Sequence, residues 1–459
     1  MSDAQTVYLA LGSNVGDRAR QLHTALRLLR ELATVEATSF LYETPPAYVT
    51  DQPPFLNAAC RVTTDLTPHA LLAALKGIEE TMGRVKTIRF GPRNIDLDII
   101  FYGDSQIASA ELTIPHPRLA ERAFVLEPLC DLAPDLRDPV SGQTIRHLLA
   151  QLHEPPLPKV MPLTCQGQPR LWQWGAQTRI VGIINLTPDS FTGDGLWQSD
   201  GGATPQVIAR AVALAERLVA EGADCIDIGG QSTRPGHQVI PVEEEIARTA
   251  PVVNAVAQAV NVPVSIDTFR APVAAASLAA GATLINDIWG LAFDPRIGRI
   301  AAEEGCALVV MHNRTHNDDP AYQQHLSAER PAATYTDIIQ DIATELQTQL
   351  ATAQQLGLPR WLLITDPGIG FGKSTEQHLA LLRRLNELKA MLGYPLLIGA
   401  SRKGFIGKLL GDLPPAARDE GTLALGVLAL ERGADLLRVH NVQAMSRAAH
   451  MADAVLAQG

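Results

Sequence analysis

The first part of this chain takes its fold from one stretch, Gly91-Pro92-Arg93-Asn94-Ile95-Asp96-Leu97-Asp98-Ile99-Ile100. Apolar residues alternate there with Asp96 and Asp98, which is the period of a β-strand with side chains on two faces. One face of the predicted strand is therefore apolar, and the other carries two carboxylates close together. Like charges at this spacing repel unless they are well solvated or share a cation. The stretch therefore predicts a strand whose polar face is either solvated or a metal site.

The residues around this strand favour the metal site. The basic ones are Arg84, Lys86, Arg89 and Arg93. Two carboxylates that face a group of cations suit a magnesium–triphosphate site, in which the acids hold the metal and the bases hold phosphate oxygens. The glycine and proline before the strand strengthen this interpretation.

The composition sets the class of protein. A chain of 459 residues is too long for one ordinary core, so at least two domains are expected. A net charge of -11 argues against a nucleic-acid partner and leaves local basic clusters for small anionic ligands. Five scattered cysteines without C-x-x-C spacing predict a reducing compartment without disulfides or zinc. No signal peptide or membrane-spanning run is visible, so we expect a cytoplasmic protein without a membrane partner.

A proline-rich segment divides the chain. Five prolines lie between Glu154 and Pro169, and such a stretch cannot hold a helix. We therefore predict a semi-rigid linker over residues 154–170, between a domain at 1–153 and a larger one at 171–459.

The first domain has six predicted elements in the order β-α-β-β-α-β, which is typical of a ferredoxin-like α+β sandwich. They cover residues 6–11, 18–32, 39–43, 57–64, 68–82 and 95–101. Asp17 is placed to cap the first helix, and Thr67 followed by Pro68 opens the second.

The second domain has eight short apolar runs, each followed by a helical pattern. The predicted strands are 180–184, 225–228, 262–266, 283–285, 307–310, 361–364, 396–398 and 436–439. Eight such units predict a (β/α)8 TIM barrel, so the chain is α/β overall. A doubly wound open sheet is the alternative, but it more often begins with G-x-G-x-x-G, which is absent after the first strand.

Chemistry in such a barrel lies at the carboxyl ends of the strands. Polar or glycine-rich residues follow all eight predicted strands, which a structural scaffold would not need. Those suited to an oxyanion-rich group such as diphosphate are Thr233, Arg234, Arg438 and His440. Those suited to a flat heterocycle are Asp267, Asn286 and Asp366, with Lys403 for the acceptor atoms of the ring. Asn185 offers a hard oxygen to magnesium.

One segment and one histidine near the predicted strand ends have more than one possible role. Gly370-Phe371-Gly372-Lys373-Ser374 resembles the end of a phosphate-binding P-loop, but Pro367 stands where that pattern needs glycine, so we reject a nucleotide cradle here. His312 is open between a ligand contact and a structural hydrogen bond.

Both halves resemble known families. The stretch around Asp96 and Asp98, with Leu11-Gly12-Ser13-Asn14 and Thr44-Pro45-Pro46, resembles 6-hydroxymethyl-7,8-dihydropterin pyrophosphokinase. The second half resembles dihydropteroate synthase. The motifs that carry this second resemblance are Ile184-Asn185-Leu186-Thr187-Pro188-Asp189-Ser190-Phe191, Ser232-Thr233-Arg234-Pro235-Gly236, Asp366-Pro367-Gly368, Ser401-Arg402-Lys403 and Arg438-Val439-His440.

The first resemblance implies roles for ten residues. Asp96 and Asp98 would bind magnesium ions that bridge the ATP phosphates. The contacts to ATP or the transferred diphosphate would be Arg84, Arg93, His116 and Arg122, of which Arg84 and Arg93 would also be catalytic together with the two acids. The pterin pocket would be lined by Thr44, Pro45, Asn57 and Phe124.

The second resemblance implies a pterin site and a diphosphate site. The pterin ring would be held by Asp267, Asn286, Asp366 and Lys403. The diphosphate and its magnesium would be held by Asn185, Thr233, Arg234, Arg438 and His440. Ser401 and Phe371 would place p-aminobenzoate. The catalytic residues would be Arg234, Lys403, Arg438 and His440, and the family suggests a homodimer through the barrel.

Together the resemblances imply a bifunctional transferase with two consecutive steps of folate synthesis. The first would move diphosphate from ATP, as co-substrate, to the hydroxymethyl group of the dihydropterin, and the second would join the product to p-aminobenzoate. Magnesium would serve both domains. One alternative is a pterin-binding methyltransferase-type barrel fused to a kinase-like domain. Another is that one half is only a folding or dimerisation scaffold.

Overall fold

The computed structural model describes residues 4–47, 49–84, 91–187, 203–232, 239–315 and 333–457. It divides into two compact units. Unit 1 holds Met1–Pro162, Leu171–Trp174 and Pro359–Leu362, and unit 2 holds Leu163–Arg170, Gly175–Leu358 and Leu363–Gly459. Within the described ranges, no helix combines the length and the apolar character that a membrane crossing requires.

Unit 1 is built on an antiparallel sheet with helices. Its first elements are β1 (Gln5–Ser13), α1 (Arg18–Leu29), β2 (Thr34–Thr38), β3 (Leu41–Thr44), β4 (Phe55–Thr64), α2 (Pro68–Thr81) and β5 (Asp96–Tyr102). The order β5-β1-β4-β3 runs across the sheet, and β2 pairs with β4. Both predicted helix caps form, since Asp17 accepts from Arg20 N and Thr67 accepts from Ala70 N.

The predicted strand at 39–43 is wrong in its bounds, because the chain forms two short strands there. The break falls at Ser39 and Phe40. Ser39 Oγ accepts from the backbone of Ala59, and the backbone N–H of Phe40 donates to Asp131, 3.0 Å away. Side-chain hydrogen bonds thus replace the regular ladder at this point, which a period-2 pattern cannot show.

Further elements of the first part of the chain follow β5. They are β6 (Ile107–Ala108), β7 (Thr113–Ile114), α3 (Ala123–Leu132) and α4 (Ile145–Gln151). The two helices share a buried cluster with the sheet, in which the rings of Tyr8 and Phe101 meet edge to face.

The segment predicted as a linker at 154–170 is mostly β-strand. It contains β8 (Lys159–Cys165) and the start of β9 (Gln168–Gln173), and β8 pairs with β3 at Val160 and Lys159. Its prolines misled the prediction. Proline is excluded from a strand only where the ladder needs its N–H, and the positions of β8 that pair with β3 end before Pro162, while β9 is the last strand of the sheet.

Unit 2 is a parallel barrel, as predicted. Its strands are β10 (Arg179–Asn185), β11 (Cys225–Gly229), β12 (Val264–Asp267), β13 (Leu284–Asp287), β14 (Ala307–Met311), β15 (Leu363–Asp366), β16 (Leu397–Ile398) and β17 (Leu436–Val439). They follow the order β15-β14-β13-β12-β11-β10-β17-β16, and a bridge between Thr365 and Leu396 joins the two ends. The carboxyl ends of all these strands therefore meet at one mouth.

Helices surround this barrel. They are α5 (Pro205–Ala220), α6 (Val242–Ala259), α7 (Ala271–Ala279), α8 (Arg296–Glu304), α9 (Ile338–Gln355), α10 (Thr375–Arg383), α11 (Leu385–Leu392), α12 (Gly404–Leu409), α13 (Asp419–Glu431) and α14 (Val442–Leu456). Thr204 caps α5 through Val207 N and is followed by Pro205, a residue that suits the first position of a helix.

Candidate active sites

The first candidate site is a cavity of about 330 Å³ in unit 1. It is lined from the ends of β1, β3, β4 and β5, and by segments that follow β5. All ten site residues predicted for the first domain line it: Thr44, Pro45, Asn57, Arg84, Arg93, Asp96, Asp98, His116, Arg122 and Phe124. The fold therefore brings this predicted set together without exception.

Asp96 lies between two arginines. Its Oδ1 is 2.8 Å from Arg84 Nη1, and its Oδ2 is 2.6 Å from Arg93 Nη1. The position of Arg93 is itself fixed by Asn14, because the two residues exchange hydrogen bonds of 2.8 and 3.1 Å. An anion that binds beside Asp96 would therefore meet two guanidinium groups already in place.

The second acid of the strand carries an unusual proton affinity. Burial, together with the negative charge of Asp96, raises the pKa of Asp98 to about 6. A neighbouring cation would relieve both causes. Among the described residues, no group of three or more His, Cys, Asp or Glu side chains could enclose a metal. Two carboxylates beside a phosphate site do fit Mg²⁺, which commonly takes one or two acids and completes its shell with phosphate oxygens and water.

His116 is neutral at physiological pH. Burial and the charge of Arg122 lower the pKa of His116 to about 4. The backbone N–H of Arg118 donates to His116 Nδ1 over 3.3 Å, so the proton of the neutral ring lies on Nε2. His116 can therefore offer a phosphate oxygen a hydrogen bond without adding a charge.

The opposite part of the cavity suits a flat, polar ring. Asn57 Nδ2 donates to Thr44 Oγ1 over 2.8 Å, and both residues are buried. Gly12 lies against them, and a Cβ there would stand 3.2 Å from Asn57 Oδ1. The guanidinium of Arg122 lies 5.4 Å from the centre of the Phe124 ring.

Sequence reasoning missed two residues of this site. Glu79 is buried, and its Oε1 accepts from Leu97 N over 2.8 Å and also contacts Arg84. Lys76 lines the cavity and lies 3.0 Å from both oxygens of Glu79. Both belong to the helix predicted at 68–82, to which no site residue was assigned. A glutamate that is buried in such a helix needs a cationic partner, and this requirement was the available signal.

The second candidate site is the mouth of the barrel in unit 2. Arg438 lies there between two carboxylates. Its Nε is 2.6 Å from Asp227 Oδ2, and its Nη2 is 2.7 Å from Asp267 Oδ2. Asp227 was not predicted, because it lies inside the apolar run that forms β11.

The predicted pterin residues carry perturbed acids. Burial raises the pKa of Asp267 to about 7, with Arg438 lowering it and Asp227 raising it further. Burial also raises the pKa of Asp366 to about 6, although Gly368 N donates to its Oδ1 over 2.7 Å. Asn286 is buried at the end of β13. The structure thus places these three residues at the ends of neighbouring or nearby strands of one mouth.

Four other predicted residues of this site form two pairs. Ser401 Oγ lies 2.9 Å from His440 Nδ1 and accepts from the backbone N–H of His440. These two contacts hold the imidazole of His440 beside Ser401. Lys403 Nζ lies 4.3 Å from the centre of the Phe371 ring, a cation–π contact.

The predicted metal ligand of this site is Asn185, the last residue of β10. A Cβ on Gly229 would lie 3.9 Å from Asn185 Oδ1 and 3.8 Å from Asp267 Oδ2, so the glycine keeps the space between them open. One amide oxygen beside that space fits Mg²⁺ bound mainly by a diphosphate. Thr233 and Arg234 lie outside the described residues.

The rejected P-loop resemblance stays rejected. Ser374 caps α10 with a capping box, and Lys373 turns inward to His312 and two backbone carbonyls. His312 is fully buried and pairs with Glu345 at 3.1 Å, so its role is a structural hydrogen bond.

These two sites, in a sheet unit and a barrel unit, define a two-site transferase that handles pterins. The family model of pterin binding enzymes matches residues 181–440, and that of 7,8-dihydro-6-hydroxymethylpterin-pyrophosphokinase matches residues 8–134. The chain is 38% identical to the mitochondrial folate synthesis bifunctional protein of Arabidopsis thaliana, over 99% of this chain and 84% of that protein. It is 41% identical to the folic acid synthesis protein fol1 of Pneumocystis carinii, over 99% of this chain and 60% of that protein.

Solved structures agree. Plasmodium falciparum HPPK-DHPS with pteroate has a TM-score of 0.76 at 22% identity, over 100% of this chain and 98% of that chain, which shows a shared fold. Dihydropteroate synthase of Xanthomonas albilineans with 4-aminobenzoic acid has a TM-score of 0.56 at 38% identity, over 65% of this chain and 99% of that chain. The chain belongs to the bifunctional folate synthesis proteins, with a pyrophosphokinase domain and a dihydropteroate synthase domain in one polypeptide.

Proposed function

We propose that the two reactions of this family divide between residues 1–153 and 171–459, with the residue roles given below. The observation that carries the proposal is the unit 1 cavity, where every predicted residue of the first reaction lines one space. It is supported by the barrel mouth, where Arg438 contacts Asp227 and Asp267 and where Asn286 and Asp366 are buried.

In the first reaction, Thr44, Asn57 and Phe124 hold the dihydropterin, and Arg84 and Arg93 hold the phosphate oxygens of ATP. His116 donates from Nε2. Because little covalent work falls to the protein in phosphoryl transfer, positioning and charge neutralisation carry the rate. Asp96 and Asp98 would hold Mg²⁺, which neutralises charge on the transferred group.

In the second reaction, the C–O bond between the pterin methylene carbon and the diphosphate breaks, the amine nitrogen of p-aminobenzoate forms a C–N bond to that carbon, and the amine loses its proton to solvent. Arg438 and His440 bind the departing oxygens, and Asp267, Asn286, Asp366 and Lys403 hold the ring. An aniline amine needs no strong base, so stabilising the leaving group is the main task. Asn185 would hold the Mg²⁺ that accompanies the diphosphate.

Two parallel assays test the division. One supplies hydroxymethyl-dihydropterin, ATP, magnesium and p-aminobenzoate, and the other supplies the pterin diphosphate without ATP. Dihydropteroate should form in both. Asp96→Ala should stop only the first assay and Arg438→Met both, with Asp65→Ala and Arg299→Met, at exposed positions, as matched controls. Loss of the second assay in Asp96→Ala would contradict separate sites, and methyl transfer from a methylfolate would favour the methyltransferase alternative.

We also propose a homodimer through the barrel. Apolar side chains are exposed on its last helices: Leu409, Leu410, Val427, Leu428, Met451, Val455 and Leu456. A second copy is the occupant that covers such a surface on both partners at once. Sedimentation at several protein concentrations should give twice the chain mass, and Leu428→Glu should shift it to the monomer.

The location that we propose is the cytoplasm. All five cysteines are free thiols, and four are buried, which suits a reducing compartment. Two plant relatives carry the word mitochondrial in their names, so fractionation of the source cells distinguishes the two compartments.

A further inference from the structure

A chain of hydrogen bonds from Lys373 through His312 to Glu345 and Arg314 lies beside the turn that carries Asp366 and Phe371. This turn, residues 366–373, follows β15 and ends at Lys373. The side chain of Lys373 points back into the turn, where Nζ lies 3.1 Å from Gly368 O, 3.2 Å from Phe371 O and 3.1 Å from His312 Nδ1. None of the roles proposed above uses this lysine.

The geometry fixes where the protons lie. An ammonium has three N–H donors and no acceptor, and three acceptors surround Nζ, so each donor has a partner. His312 Nδ1 therefore accepts, which places the ring proton on Nε2. That proton faces Glu345 Oε2 at 3.1 Å, and Glu345 in turn accepts from Arg314 Nε over 2.8 Å.

The titratable groups around Nζ come from each element packed against it. They are Asp366 on β15, Glu345 on α9, Arg314 after β14, His378 on α10, and Tyr335, whose ring centre lies 6.0 Å from Nζ. Burial lowers the pKa of Lys373 to about 7, with Arg314 acting in the same direction and the two acids against it. An amine in such a place stays charged only through its hydrogen bonds and these acids.

Lys373 contacts the turn at Gly368 and Phe371, the residues that orient or supply its proposed substrate-binding side chains. Gly368 N donates to Asp366 Oδ1 over 2.7 Å, and Phe371 supplies the ring beneath Lys403. Gly368 has a φ of 71°, and a Cβ there would stand 2.0 Å from the carbonyl oxygen of His312. The close approach of Gly368 to His312 therefore leaves the turn little conformational freedom, and the hydrogen bonds of Lys373 restrict it further.

We propose that Lys373 is a positioning residue for the second reaction: its ammonium ties Gly368 and Phe371 to His312, and so holds Asp366 and Phe371 in the orientation that grips the pterin and p-aminobenzoate. This inference rests on the roles proposed above for Asp366 and Phe371. Lys373 touches neither substrate in this scheme and acts only through the turn.

The test is side-chain deletion with chemical rescue. Lys373→Ala removes the atoms beyond Cβ, which correspond to n-propylammonium. We expect the KM for the pterin diphosphate to rise about tenfold, the loss of roughly one charge-assisted hydrogen bond, while kcat changes less. Added propylammonium should restore the KM. 1-Propanol, which has the same length and no charge, should not.

Controls separate the outcomes. Lys408→Ala, at an exposed position of α12, should behave as wild type. An unchanged KM in Lys373→Ala, or equal rescue by propanol, would overturn the inference, because the lysine would then only fill space. A wild-type protein without the second reaction would instead overturn the proposed function.

A second variant provides the test if thermal denaturation shows that Lys373→Ala does not fold. Glu345→Gln keeps an acceptor oxygen for His312 Nε2 but removes the negative charge at the end of this hydrogen-bond chain, on a half-exposed side chain. It should raise the same KM about threefold, a partial loss of the same hydrogen-bond chain. No rise in this variant would also overturn the inference.

Discussion

Replacing Asp227 by asparagine should move the acid limb of the second reaction to lower pH. The pKa of Asp267 is raised to about 7 by its burial and by the charge of Asp227, and in the proposed function the ionised Asp267 is the form that would accept hydrogen bonds from pterin N–H groups. Asparagine keeps an oxygen for Arg438 Nε but removes the charge. Asp267 then no longer experiences the repulsion from the charge of Asp227, and it becomes the only carboxylate that pairs with Arg438. It therefore stays ionised at lower pH.

The size of the change follows from the geometry. Two carboxylates on one guanidinium lie on the order of 5 Å apart, and at an effective dielectric constant of about 20 their charges repel by about 3 kcal/mol. Arg438 already offsets part of this repulsion. Since about 1.4 kcal/mol corresponds to one pH unit, we expect the acid limb to move down by about one unit.

The assay is kcat/KM for the pterin diphosphate from about pH 5 to about pH 9, which reports groups of the free enzyme. Asp412→Asn, an exposed acid of the same unit, is the matched control, and thermal denaturation checks the fold. An acid limb that stays in place, or that moves to higher pH in folded Asp227→Asn, would refute the coupling between the two acids.

Three further changes test the sites. Asp96→Ala should lower kcat of the first reaction by about a thousandfold or more, through loss of a metal ligand, and a smaller effect would remove Asp96 from that role. Asn57→Ala should raise the KM for the hydroxymethyl-dihydropterin about tenfold in the first assay, since a buried hydrogen-bonding group is lost; an effect on kcat alone would argue for another role. Gly368→Ala should lower the free energy of unfolding by about 3 kcal/mol in chemical denaturation, because its Cβ meets His312 O, whereas Gly77→Ala, with nothing within 4 Å, should be neutral or stabilising.

The sequence predicted the barrel mouth well because the relevant signal is local. Each apolar run ends within two residues of the end of its strand, and Asn185, Asp267 and Asp366 close β10, β12 and β15. Asp227 escaped because its neighbours on both sides are apolar and the run was counted as core. A lone carboxylate inside a buried strand needs a cation, and this rule could have indicated that Asp227 pairs with a basic residue such as Arg438.

Pairings between distant residues could not be predicted in this way. The hairpin of β8 and β9 lies in a segment whose prolines suggested a linker, and its contact to β3 joins residues that are more than a hundred positions apart. The break between β2 and β3 depends on Asp131, which lies 91 positions after Phe40. Local periodicity contains no information about either partner.

Both sites use acids to keep arginines ready for an anion, but the acids have different second partners. A buried guanidinium without a counter-charge is unfavourable, so each arginine that awaits a diphosphate needs a carboxylate beforehand. In unit 1, Asp96 contacts Arg84 and Arg93, and in the proposed function the arginines would turn to phosphate while this acid would hold Mg²⁺. In unit 2, Asp227 and Asp267 contact Arg438, and in the proposed function Asp267 would bind the N–H groups of the pterin while Asp227 keeps the arginine in place. Under this proposal the second site has an acid that the substrate does not touch, which gives a physical reason for a carboxylate inside the apolar strand β11.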